Sequence, residues 1–354
     1  MIYIVAAILI FGVLIAVHEL GHFLAAKACG VRVNEFAIGM GPAVFRKTKG
    51  DTQYSIRILP IGGYCAMEGE EEDSEDPKAL NNKNFFQKLL IFAAGALMNF
   101  LAGFLIILVL YSGAQAFYTA EITGFAPDCP LESETGLQAG DVLLKIDGER
   151  VYSRSNVSFL LGLNKTGVYD LVVLRDGQKV TLEDFPMEQG EYLDQSGQPY
   201  TGFGFYMGGV VEATFLNRIQ YSWNNAMDFL RMTRLSLQML LTGEAGLKDL
   251  SGPVGIVSTI TEVGQQSETV RIAVENIAYI AALIAVNLAV MNLLPLPALD
   301  GGKIFFLIIN QLSMLLLRRQ IPAKFENYIH LAGFVLLMVL MVVVLFQDVW
   351  RIVQ

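Results

Sequence analysis

IYIVAAILIFGVLIAVHELGHFLAAKA, Ile2 to Ala28, is the stretch on which the reading of the fold turns. It exceeds the roughly 20 residues that cross a bilayer as a helix, and only His18, Glu19, His22 and Lys27 interrupt its apolar run. No basic leader or small-residue cleavage pattern marks it as a removable signal peptide. Ionisable groups at membrane depth cost about 2.5–3.5 kcal/mol each on insertion scales, so they are a functional signal. His18-Glu19-Leu20-Gly21-His22 sets two imidazoles four residues apart, on one helix face, where both can reach a single Zn²⁺. Glu19 can then take a proton from a metal-bound water, whose pKa zinc lowers to about 7.

The rest of the composition agrees with a membrane setting. Hydrophobic residues are 53% and charged residues 17% of the 354, against about 45–50% and about 25% in soluble globular proteins. Three more apolar stretches, at 89–111, about 276–294 and about 328–346, bring the expected number of transmembrane helices to about four. Basic residues concentrate in the loops 29–88 and 303–325, which places both in the cytoplasm and the two termini outside. A net charge of −9 with no long basic stripe argues against nucleic acid as a partner. Cys29, Cys65 and Cys129 have no CxxC spacing and read as free thiols. The acidic cluster Glu68, Glu70, Glu71, Glu72, Asp73, Glu75 and Asp76 reads as a solvated loop.

Between the spans the pattern changes. Two apolar, Gly-punctuated runs at 36–45 and 54–64 flank the Lys49-Gly50-Asp51 turn and predict a membrane-associated β-hairpin, since non-helical backbone near lipid must be buried or line a wet cavity. Residues 112–209 read as an inserted extracytoplasmic α+β domain, with hairpin turns at Asp147-Gly148 and Asp176-Gly177. Apolar residues at helical spacing between 216 and 241 predict an amphipathic helix, lying on the membrane or on the domain, within a linker at 210–250. Residues 1–111 and 251–354 are then the two parts of the membrane core.

A catalytic zinc takes three protein ligands and leaves one position open. Asn287-Leu-Ala-Val-Met-Asn-Leu-Leu-Pro-Leu-Pro-Ala-Leu-Asp300-Gly-Gly offers Asp300 as the favoured third ligand. Pro295 and Pro297 each remove a backbone N–H, so no helix runs straight through. His330, at the mouth of the last span, is the other candidate. An Asp before Gly-Gly alone is more often a turn residue.

HELGH in a first span paired with NLLPLPALDG in a later one resembles the site-2 protease family of intramembrane zinc metalloproteases, in its bacterial branch that carries a PDZ domain. IGMGP, LPIGGY, LSGPVGI at 250–256 and the IHLAGF…DVWR ending extend the resemblance over nearly the whole chain. It implies a multi-pass protein of the bacterial inner membrane. Its one zinc would be held by His18, His22 and Asp300, with Glu19 as general base. It further implies that Asn287, Asn292, Pro295 and Pro297 handle substrate, and that 112–209 is a circularly permuted PDZ-like domain. There Gly202-Phe203-Gly204-Phe205 would be the carboxylate loop; otherwise these are a Gly-rich strand end. The implied substrates are single-span membrane proteins, such as anti-sigma factors or signal-peptide remnants, already trimmed by an upstream site-1-type protease. Ala96, where the family often has proline, and Ala285-Val286, in place of Ser-Ile, depart from the family pattern. Two other readings compete: a zinc peptidase with its site in water, and a PDZ scaffold or pseudoprotease that binds without cutting.

Overall fold

Helix α1 (Ile2–Ala28) coincides with the opening stretch. It closes in a Schellman arrangement, in which Gly30 at φ +67° lets Gly30 N–H reach Lys27 O and Val31 N–H reach Ala26 O. The structure is a computed structural model describing residues 2–353 apart from 71, 73, 194–196, 247, 249, 320 and 321. Glu71 and Asp73 of the acidic cluster therefore lie outside the described residues. The chain forms two units: residues 1–107 with 229–354, and residues 108–228.

In the first unit α1 leads into β1 (Val33–Lys49) and β2 (Thr52–Met67), the expected hairpin. Both strands bend over on themselves. Residues 33–38 pair with 63–67 on one side and lie in step with 53–56 on the other, while 45–49 pair back on 52–56. A polar clasp holds the bend. Glu35 accepts from Ser55 Oγ (2.5 Å) and Arg57 Nη2 (2.8 Å), and Arg57 also bonds the Tyr64 hydroxyl. Burial would raise the Glu35 carboxyl, but hydrogen bonds from Ser55, Tyr64, Arg57 and Gln53 outweigh it and hold the pKa at about 2. Met40, Val44, Phe45, Ile58 and Leu59 stand exposed on the bent hairpin. Helix α2 (Phe85–Tyr111) follows. Ala26, Val33, Cys65, Met67, Leu80 and Ile91 form one core that joins α1, the hairpin and α2.

The second unit is built on a four-stranded sheet of order β6-β5-β7-β8. Its elements in chain order are β3 (Ala116–Tyr118), β4 (Ile122–Phe125), β5 (Val142–Ile146), β6 (Glu149–Arg150), α3 (Val157–Leu163), β7 (Val168–Arg175) and β8 (Gln178–Pro186). Then come β9 (Gly190–Leu193), β10 (Pro199–Gly202), β11 (Phe205–Met207) and β12 (Val210–Glu212). Asp147-Gly148 and Asp176-Gly177 all have positive φ, as tight hairpin turns require. Arg175 grips the fully buried Asp141 through two bonds of 2.8 and 2.7 Å, which fixes the Gly136–Asp141 turn.

Helix α4 (Phe215–Thr242) begins in the second unit and ends in the first. Its later half packs on the membrane core, with Phe229 against Tyr279 at 5.1 Å. Helices α5 (Pro253–Gln266), α6 (Val270–Asn292), α7 (Asp300–Leu317) and α8 (Ala323–Val353) complete the first unit. Ala7, Leu14, Ile260, Ile277, Ile284 and Ala285 knit α1, α5 and α6 into a second core. Asp348, buried on α8, accepts from Gly252 N (3.2 Å) and Gly255 N (2.8 Å), so its charge sits on the positive end of α5. This contact joins LSGPVGI to the DVWR ending.

Among the described residues five helices are long and apolar enough to cross a membrane, against the about four expected: α1, α2, α6, α7 and most of α8. The added one is α7. The segment 303–325, expected as a loop, is helical through Leu317. Lys303, Arg318 and Arg319 had marked it as a loop, yet the fourteen residues between Lys303 and Arg318 are mostly apolar. Gly301 and Gly302 sit in the helix's first turn, where their N–H groups need no i−4 partner.

Candidate metal centre

His18 and His22 lie on one face of α1, and Asp300 is the first residue of α7, where the chain resumes helix after the unwound 293–299. The three meet. His18 Nε2 is 3.1 Å and His22 Nε2 3.2 Å from Asp300 Oδ2, and the two Nε2 atoms are 3.2 Å apart. Ligands held tetrahedrally at about 2.0–2.1 Å from a zinc ion stand about 3.3 Å from one another, so the trio has the spacing of a zinc site.

Proton bookkeeping gives an independent test of fit. His22 Nδ1 donates to Ile91 O at 2.8 Å, which leaves a lone pair on Nε2. That lone pair faces Asp300 Oδ2, itself buried without a hydrogen-bond donor. Acceptor against acceptor at this range is repulsive unless a cation lies between. The residues present fit a zinc ion.

Helix α2 supports the site from the side. Gly95 packs against both imidazoles: a Cβ there would collide with His22 Nε2 and come within 2.6 Å of His18 Cε1. Four residues on, the Asn99 amide is 3.4 Å from His18 Nδ1, and its buried Oδ1 has no partner. A half-turn of that amide lets Oδ1 accept the Nδ1–H of a metal-bound His18. Neither residue was singled out as a site residue from sequence; an Asn buried inside an apolar span was the available signal. The Gly95→Ala variant is expected to displace both imidazoles and to lower zinc occupancy at least about tenfold, checked by metal analysis of purified protein.

A cavity of about 830 Å³ opens at the site, lined by His18, Glu19, His22, Asp300, Lys303 and the 64–67 row of β2. Glu19 points toward that strand, where a Cβ at Gly63 would come 3.3 Å from Glu19 Cγ. Lys303 pairs with Glu70 at 2.6 Å, so the acidic cluster is not all solvated loop. Asn292 brings its amide to 3.5 Å from His18 Nδ1. Pro295 and Pro297 lie in the unwound segment, whose Ala298 has φ +76°, a left-handed turn costing an L-residue about 1–2 kcal/mol. Asn287 is not at the cavity wall; it bonds Thr233 of α4. His330 lines the cavity but stands outside the ligand trio, and its Nδ1 accepts Ala298 N–H at 3.0 Å. Gly202 ends β10, Phe203 and Phe205 stack at 6.3 Å, and Gly204 turns at φ +78° into β11, which pairs with β4.

The model of peptidase family M50 matches residues 6–340. The chain belongs to that family, the site-2 proteases. It is 37% identical to a Clostridium perfringens protein named as a candidate zinc metalloprotease, over 98% of each chain. It is 29% identical to the zinc metalloprotease RasP of Oceanobacillus iheyensis, over 98% of this chain and 99% of the relative. It is 28% identical to the regulator of sigma-W protease RasP of Bacillus subtilis, over 98% of each. As a member of this family the chain is an enzyme, a zinc metalloprotease, with His18, His22 and Asp300 grouped as a metal site. Its several apolar helices make it a multi-pass membrane protein.

Proposed function

We propose that the chain hydrolyses peptide bonds within or near the transmembrane segment of single-span membrane proteins, using one zinc ion held by His18, His22 and Asp300. The observation that carries the proposal is the ligand trio. It joins an apolar helix to an unwound segment, beside a cavity walled by a strand row. When bound, zinc supplies a Lewis acid and an acidic water. Glu19 accepts the proton of the attacking water and hands it to the leaving amine. We assign Asn292, whose amide lies beside His18 Nδ1 next to the unwound segment, a part in holding the extended substrate backbone.

A helical peptide bond is shielded by its own hydrogen bonds, so substrate must be extended before it is cut. Residues 63–67 form an outer row of the bent hairpin and 64–67 of them line the cavity, which supports pairing of this row with an extended substrate. The exposed apolar residues of the hairpin support its dipping into lipid. Pro295 and Pro297 keep the facing segment unwound, and we assign Asn287 a part in substrate handling through α4. In this reading residues 112–209 are a PDZ-like domain outside the cytoplasm, with Gly202–Phe205 as its carboxylate loop, and it screens ectodomains left by an upstream protease. The loop 29–88 is cytoplasmic and the enzyme sits in a bacterial inner membrane. The name of the Bacillus subtilis relative favours an anti-sigma factor as substrate.

Co-expression with tagged single-span proteins, followed by mass-spectrometric mapping of the cut, tests this. Cuts should fall inside or at the edge of the membrane segment. Cuts confined to the aqueous ectodomain would overturn the intramembrane reading.

A further inference from the structure

We propose that His330 is a positioning residue that aims Asp300 by holding the backbone of the unwound segment, an inference that rests on the zinc site proposed above. The hydrogen bonds of residues 293–299 can be accounted for one by one. Pro295 and Pro297 have no N–H. Leu293 donates to Val290 O, Leu294 to Met291 O, Leu296 to Leu294 O and Leu299 to Leu296 O, all close by in the chain. Of these N–H groups only that of Ala298 bonds a residue distant in the chain, His330 Nδ1 on α8 at 3.0 Å.

Ala298 is also the strained residue, with φ +76°. An alanine holds that conformation only when its surroundings impose it. Three residues beyond His330 on the same helix face, Gly333 closes on Pro297; a Cβ there would collide with Pro297 Cβ and meet its O at 3.0 Å. Helix α8 thus grips residues 297 and 298 by one hydrogen bond and one close approach. Asp300 follows two residues later, so a rotation at Ala298 swings its carboxylate away from the imidazoles. Phe306 packs on the His330 ring at 5.3 Å and keeps it in place. The nearest carboxylate oxygen to Nε2 is Glu326 Oε1, at 3.9 Å, beyond hydrogen-bond range. The ring's one bonded nitrogen is therefore the acceptor that Ala298 uses.

The role requires an acceptor at the Nδ1 position and nothing else of histidine. Asn places its Oδ1 there, Gln places its oxygen one bond farther out, and Leu has none. The test uses full-length protein in detergent, comparing His330→Asn, His330→Gln and His330→Leu for zinc release to a chelator, cleavage of a single-span substrate and thermal unfolding. His330→Leu and His330→Gln should release zinc at least about tenfold faster than wild type and lose kcat in proportion. His330→Asn should stay within about threefold of wild type on both. Should His330→Leu fail to fold, the Asn and Gln pair decides. Variants that all match wild type in zinc release, or an Asn variant no better than the Gln variant at equal thermal stability, would overturn the proposal. A wild type that binds no zinc would overturn the metal site as well, whereas a zinc-loaded wild type with indifferent His330 variants overturns only this inference.

Discussion

Glu19→Gln is expected to abolish peptide-bond cleavage while the metal stays bound. Glu19 is not one of the three grouped ligands, yet it lines the same cavity one residue from His18. Gln keeps the size and hydrogen-bonding reach of the side chain but cannot take a proton from water. Loss of a general base costs about 10²–10⁴-fold in rate, and the shielded setting leaves no bulk-water base to substitute. Metal analysis and a cleavage assay on the same purified sample check both halves. Full activity in the variant would remove Glu19 from the mechanism, and loss of zinc would make it a ligand instead.

Asp300→Ala should lose the zinc itself. Asp300 supplies the only carboxylate in the trio and the only ligand from outside α1. Without it two neutral imidazoles remain, and the cation loses both a donor and its charge partner. Removing an outer partner of a ligand already costs about 10–100-fold in metal affinity, so loss of the ligand should exceed about 100-fold. Chelator competition measures this directly, with activity falling in parallel. If Asp300→Ala kept stoichiometric zinc, the third ligand would have to be sought elsewhere, and the twist at Ala298 would lose its function.

Much of the site was legible in the sequence because it is local. The i, i+4 spacing of His18 and His22 is a property of any helix, and the membrane cost of Glu19 between them marks it as functional. The hairpin turns at Asp147-Gly148 and Asp176-Gly177 are legible for the same reason, since those residue types tolerate the positive φ that the turn demands. The α7 helix was misread because charges and glycines at its ends look like a loop, while its apolar length is evident only once it is seen to start at Asp300. His330 was weighed as a ligand because histidine chemistry is visible in sequence; its true neighbour, the Ala298 N–H, is not.

By itself the sequence determined a membrane enzyme with HELGH inside its first helix and an interrupted later segment bearing an acid. Only the tertiary structure decided which groups surround them. It set Gly95 and Asn99 of α2 against the imidazoles, bonded Asn287 of α6 to Thr233 of α4 rather than placing it at the cavity, and gave the Ala298 N–H to α8. The physical reason is range. Helix periodicity and turn preference act over a few residues. Asn99 lies 81 positions from His18, and only the packing of helices across the core brings the two together.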